Sequence, residues 1–273
     1  MKNKENFDVL TIVDNEESID LIQTILGDIC LGSSFHQSLT KLYFNIGSRK
    51  KIGAKLAEYF SSQTFKYEWE TLEKEDWHLD WKSSFNSIII DDKLAIIPHW
   101  GNFLSVQYNI KIKPGMAFGT GHHETTWLML NQMLTYVQSG MRVLDLGTGS
   151  GILSIAANKL GAIKIDSVDN DSECQNNFFE NLKLNEINKG ITFYNKDILT
   201  WTRMDFDLIL ANINKNIIEQ LIPQFKNTTG IILLSGLLTT DFDFIQDVIN
   251  NNKLQVKEKL VKGEWICLTV ISK

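Results

Sequence analysis

From residue 114 to the carboxyl terminus, short apolar runs alternate with amphipathic stretches. RVLDL, IKIDSVD, ITFYNKD, FDLILANI and GIILLSGL read as five buried strands. Between and after them, ILSIAANKL, SECQNNFFENLKLNE, residues 217–225 and a run through Phe244, Ile245, Val248 and Ile249 carry helical spacing. Strands that alternate with helices imply a parallel sheet wound on both faces. The chain closes with LQVKEKLVKGEWICLTVIS, two strands around Lys262-Gly263. That turn is too short for a crossover, so the last pair is antiparallel. The expectation is a seven-stranded, doubly wound α/β sheet with an antiparallel last strand.

The first seventy residues follow a smaller rhythm. FDVLTIV, DICLGSSF, SLTKLYFNI and FKYEWE read as strands. One helix is expected between an Asn15 cap and a Gly27 stop, and a second opens at Ser48 and runs through Ile52, Leu56 and Tyr59. The order is βαββαβ, a ferredoxin-like α+β plan that by itself says little about function. Residues 73–112 are more charged and aromatic, with a hairpin turning at Asp91-Asp92. They read as a connecting arm, with Trp77, Trp81 and Trp100 as core or interface anchors. Three parts are therefore expected: 1–72, 73–112 and 113–273.

Composition narrows the class. The chain has 273 residues, 43% hydrophobic and 22% charged, and only three prolines. The amino terminus is too charged for a signal peptide, and no window approaches the roughly 20 apolar residues of a membrane span. Cys30, Cys174 and Cys267 lie far apart without CxxC spacing, which points to a reducing cytoplasm and argues against structural zinc. A net charge of −6 disfavours a broad nucleic-acid surface and suits a basic protein partner.

Chemistry concentrates after the first long strand. VLDLGTGSG sets Gly147, Gly149 and Gly151 between strand and helix, where the backbone can approach a ligand and helix amides are free. Ile152 occupies the place of a third dinucleotide-fingerprint glycine, and no P-loop Lys-Ser/Thr follows. Asp169 ends the next strand, where an acid can accept from a ribose diol. Asp145 precedes the loop, placed to bridge loop amides, to hold an ammonium or simply to cap a turn. Together they favour a nucleoside with an amino-acid tail. Asp197, after the third strand, suits either a base amino group or ordinary strand-end polarity.

These features resemble the class I S-adenosylmethionine-dependent methyltransferases. The segment PGMAFGTGHHETT, with ANI at 211–213, SG at 235–236, EW at 264–265, EDWHLDWKSSF and IIPHW, is similar to the ribosomal protein L11 methyltransferase family, PrmA. The resemblance implies a Rossmann-like cofactor domain, S-adenosylmethionine as cofactor and protein L11 as partner. It further implies multiple methylation of lysine and N-terminal amines, with an N-terminal domain that recognises the substrate. It also implies that FGTGHHETT covers the cofactor, with Thr126 contacting it alongside Gly147, Asp169 and Asn212. Phe118 offers an apolar surface to a sulfonium or purine, and His123 orders the loop. Where many members have Thr-His-Pro this chain has His-His-Glu. Asn214-Lys215 replaces their common Leu-Ala.

His122 and His123 are the tempting metal ligands, but sequence neighbours without a further His or Cys seldom converge on one ion, so no metal is expected. Methyl transfer from a sulfonium needs alignment more than a strong base. Asn212, at the end of the fourth strand, is the candidate for holding an amine; its bland alternative is a strand-end turn residue. Competing readings are a methyltransferase of another protein lysine or small-molecule amine, a non-catalytic cofactor-binding regulator, and an RNA methyltransferase. A movable arm would let the amino-terminal domain present several amines in turn.

Overall fold

The structure is a computed structural model that describes residues 6–13, 26, 30, 32–36, 39–59, 67–73, 86–113 and 123–273. It divides into two compact units, 1–86 and 87–273.

The smaller unit is built on a four-stranded antiparallel sheet. Its strands are β1 (Asn6–Val13), β2 (Gly32–His36), β3 (Leu39–Asn45) and β4 (Tyr67–Glu73), in the order β2-β3-β1-β4. With helix α1 (Arg49–Tyr59) between β3 and β4, this is the expected ferredoxin-like order. The helix read between Asn15 and Gly27 lies outside the described residues except for Leu26, which is helical and fully buried. Alternate residues of the central strands (Leu10, Ile12, Leu42, Phe44) pack with Leu26, Ile52 and Leu56. The start of α1 is held from a distance. Buried Asp8 of β1 accepts from Gly47 N (2.8 Å) and Ser48 N (3.1 Å), and pairs with Arg49 Nε at 2.7 Å. A carboxylate suits a helix amino terminus because the first-turn amides there lack partners.

The larger unit begins with β5 (Ile88–Ile90), β6 (Leu94–Pro98) and β7 (Tyr108–Ile112). β5 and β6 form the expected hairpin, with positive φ at Asp91 (48°) and Asp92 (53°). Both central residues of this turn are left-handed, the geometry that asparagine and glycine adopt at least cost. Replacing Asp91-Asp92 with Asn-Gly is expected to stabilise the chain by about 0.5–1 kcal/mol, seen as a higher denaturant midpoint at unchanged slope. β7 pairs parallel to β6 and was not expected. Ile90, Leu94, Ile96, Ile110 and Ile112 enter the main core, so 87–112, the carboxyl part of the segment read as an arm, packs within the larger unit. Trp77 and Trp81 lie outside the described residues.

Then come α2 (Glu124–Tyr136), β8 (Arg142–Leu146), α3 (Ile152–Lys159), β9 (Lys164–Asp169), α4 (Ser172–Leu184), β10 (Ile191–Asn195), β11 (Leu208–Asn212), α5 (Lys215–Leu221), β12 (Ile231–Leu238), α6 (Phe242–Asn251), β13 (Leu254–Lys262) and β14 (Trp265–Ser272). The sheet order is β10-β9-β8-β11-β12-β14-β13, and β14 is antiparallel to both neighbours. Successive residues of β11 point to opposite cores. Leu208 and Leu210 join α2, α3 and α4, whereas Ile209 and Ala211 join α5 and α6. Burial on both sides explains why these strands read as continuous apolar runs. The order reverses between β8 and β11, and doubly wound sheets bind ligands beyond the carboxyl ends of strands at such a point.

Candidate active site

The turn from β8 into α3 holds three left-handed glycines: Gly147 (φ 73°), Gly149 (φ 50°) and Gly151 (φ 81°). A Cβ at Gly147 would lie 2.5 Å from Ile213 Cγ2, and one at Gly151 2.6 Å from the Phe178 ring. Conformation and space both exclude a side chain. The loop is tied to β9: Gly147 N and Thr148 N donate to Val168 O at 2.9 and 3.2 Å. Asp169 Oδ2 accepts from Gly149 N at 2.8 Å, and its Oδ1 accepts from Asp171 N at 3.0 Å. Asp169 is half-buried, so its carboxylate is positioned by two amides while remaining open to further donors.

Asp145 is fully buried beneath the loop. Its Oδ2 accepts from Thr148 Oγ1 and Ser154 Oγ, each at 2.6 Å, and Ser154 Oγ lies 2.7 Å from Ser167 Oγ. Among the described residues Oδ1 has no partner. Hydroxyls, with the Ser154 backbone, thus take the place expected for loop amides. Burial raises this carboxyl from its ordinary 3.8 to about 6, opposed by the Ser154 and Thr148 hydrogen bonds. The folded value exceeds the unfolded one, so the folded chain holds the extra proton and stability falls as pH rises from about 4 to about 6. Asp145→Asn is expected to remove this slope, on the order of 3 kcal/mol, read as the difference between wild-type and variant denaturant midpoints across that window.

The other wall comes from α2 and β11. His123 caps α2: its Nδ1 accepts from Thr125 N (3.3 Å) and lies 2.7 Å from Thr125 Oγ1. Burial holds the imidazole below its usual 6.5, against the opposing pull of Glu124. A neutral ring keeps Nδ1 as an acceptor. The ring also meets Trp265 edge-on, at 4.7 Å between centroids. This cap fixes the helix start that carries buried Thr125 and Thr126. Asn212, last residue of β11, donates from Nδ2 to Thr126 Oγ1 at 3.4 Å, while its buried Oδ1 has no partner among the described residues. Behind it, Gly236 takes φ 87°, and a Cβ there would stand 2.0 Å from Ile213 O.

The remaining candidates separate clearly. Asp197 is exposed and caps the 3-10 turn Ile198–Thr200 by accepting from Leu199 N at 2.9 Å, its ordinary reading. Asn214 caps α5 through Ile217 N, and Lys215 pairs with Asp241 at 2.9 Å, so the two departures at 214–215 are spent on local structure. Glu124 sets its carboxylate where a side chain on Gly263 would stand. Phe118, Gly119, Gly121 and His122 lie outside the described residues. A surface groove of about 470 Å³ between α4 and β10, lined by Phe179, Leu182, Lys183 and Ile187 among others, contains none of the candidate residues.

A glycine cradle, an open carboxylate on β9 and two buried oxygens on neighbouring strands, unsatisfied among the described residues, fit a ligand with a ribose diol and an amino-acid tail. Comparison with known proteins agrees. A family model described as ribosomal protein L11 methyltransferase (PrmA) matches residues 14–273. A ribosomal protein L11 methyltransferase of Prochlorococcus marinus is 34% identical over 235 residues, covering 81% of this chain and 78% of that protein. One from Lactobacillus gasseri is 36% identical over 234 residues, covering 82% and 74%. The crystal structure of a ribosomal protein L11 methylase from Lactobacillus delbrueckii subsp. bulgaricus superposes with a TM-score of 0.65 at 34% identity, covering 69% of this chain and all of that one.

Proposed function

The chain belongs to the ribosomal protein L11 methyltransferase (PrmA) family of S-adenosylmethionine-dependent enzymes, and we propose that it methylates lysine and N-terminal amines of protein L11. Asp169 would take the ribose hydroxyls of the cofactor, and Gly147, Gly149 and Gly151 its amino-acid tail, with Asp145 beneath them. Thr126, His123 and Asn212 would close the site from the other side, and the family resemblance adds Phe118 as an apolar contact for the cofactor. When bound, S-adenosylmethionine supplies an electrophilic methyl group, so the chain itself needs only to align a neutral amine.

The observation that carries this reading is Asn212 Oδ1, buried and without a donor among the described residues. A buried acceptor left unpaired costs about 1–3 kcal/mol, and an amine N–H entering the site would remove that cost. Accepting one N–H orients the nitrogen lone pair away from Asn212. A lysine amine, with an ordinary pKa of about 10.4, must shed its proton first, and removal from water favours the neutral form.

The smaller unit would grip the substrate, and the acidic net charge of −6 suits a basic ribosomal protein better than RNA. No helix among the described residues is long and apolar enough to cross a membrane. A ribosomal substrate would put the work in the cytoplasm. The test is transfer of labelled methyl from S-adenosylmethionine to purified L11, with and without prior acetylation of its amines. Label is expected in native L11 and not in the acetylated protein; equal labelling of both would remove the amine as acceptor.

A further inference from the structure

β7 pairs with β6 along one edge, and among the described residues no strand covers the other. Its outer backbone groups are taken instead by asparagines from α4. Asn185 accepts from Lys111 N at 3.0 Å and donates to Lys111 O at 2.6 Å. Asn181 Oδ1 accepts from Lys113 N at 2.8 Å, and Asn177 Nδ2 donates to Lys113 O at 3.1 Å. Asn181 and Asn185, four helical residues or about 6 Å apart, match Lys113 and Lys111, two strand residues or about 6.6 Å apart, and Asn177 takes the remaining carbonyl of Lys113. Three carboxamides thus stand in for a missing strand.

Asn181 differs from the other two. It is fully buried, and its Nδ2 donates to Ser150 O, inside the glycine loop, at 2.9 Å. Phe178, one turn earlier on the same helix, is the residue whose ring fills the space beside Gly151. One face of α4 therefore touches both the loop and the end of β7. Lys113 is also the point where the chain enters 114–122, the segment that returns at the His123 cap.

We propose that Asn181 is a positioning residue for the cofactor loop. One carboxamide, bonded at once to Lys113 N and Ser150 O, sets the glycine loop against the end of β7. This rests on the reading of residues 147–151 as a cofactor loop. A displacement of Lys113 pulls on Ser150 through a single rigid amide, so the loop and the end of β7 keep one spacing. Among the described residues Asn185 has no bond to the loop; it holds Lys111 and the Asn181 carbonyl, the latter at 2.9 Å.

The test compares Asn181→Ala with Asn185→Ala in the full chain, by hydrogen exchange and by calorimetry with S-adenosylhomocysteine. Asn181→Ala is expected to speed exchange of amides 147–151 about tenfold and to weaken the ligand about tenfold. Asn185→Ala should speed exchange only around 108–113 and leave affinity within about twofold, although it also destabilises the fold. Should alanine at 181 prevent folding, Asn181→Ser keeps a polar group that cannot reach both partners and serves the same comparison. Unchanged loop exchange in the 181 variants, or equal weakening of the ligand by Asn185→Ala, would overturn the proposal. A wild-type chain that binds no S-adenosylhomocysteine removes the cofactor reading alone, since the exchange of 147–151 still decides the coupling.

Discussion

Asn212→Ala should lower kcat for methyl transfer about a hundredfold, or about 2.7 kcal/mol of transition-state stabilisation. The residue is 9% exposed at the carboxyl end of β11, with its Nδ2 on Thr126 and its Oδ1 unpaired among the described residues. Alanine removes the acceptor proposed to orient the amine and leaves Thr126 Oγ1 without that donor. Because the main loss falls on alignment, it should persist at saturating S-adenosylmethionine, with affinity for S-adenosylhomocysteine falling less than about tenfold. Initial rates at saturating cofactor separate the two effects. Full kcat with weakened ligand would make Asn212 a cofactor contact and nothing more.

Asp169→Ala has the opposite signature. The carboxylate holds Gly149 N and Asp171 N, and it remains open to the ribose hydroxyls it is proposed to accept. Hydrogen bonds to a charged group are worth about 1.5–3 kcal/mol each, so losing two weakens S-adenosylhomocysteine by at least about a hundredfold. The loop also loses its tie to β9 at Gly149, which adds to the loss. Once saturated, the variant should turn over within about threefold of wild type, because no reacting atom lies at the ribose. Asp169→Asn, which keeps one acceptor oxygen for Gly149 N, should fall between the two. Calorimetry measures the affinities, and a wild-type affinity in Asp169→Ala would remove this residue from the site.

Much of this was legible in the chain because the signals are local. The alternation of apolar runs with helical spacing reports burial of a parallel sheet on both faces, and strands β8 to β12 appear where that pattern places them. Gly147, Gly149 and Gly151 announce a turn because only glycine takes those φ values cheaply. What stayed hidden depends on partners distant in sequence. Asp8 caps a helix that starts more than thirty residues later, and nothing near it marks the role. β7 reads as an ordinary polar-apolar stretch because asparagines of α4, not a strand, complete its outer edge. Asp145 meets hydroxyls rather than loop amides, and Ser154, with Ser167 behind it, looks like a small core residue until helix and strand are brought together. The clue available beforehand was polarity where the pattern calls for apolar residues, at Ser154 and Asn181. Asp197 shows the converse, a well-placed acid occupied by a local cap.

A crystal structure of the chain with S-adenosylhomocysteine tests the central claim most directly. The expected result is one ligand at the carboxyl ends of β8, β9 and β11, with its ribose on Asp169, its amino-acid tail along Gly147–Gly151 and its sulfur toward Asn212. A ligand bound elsewhere, or a glycine loop left without ligand at saturating concentration, would contradict it.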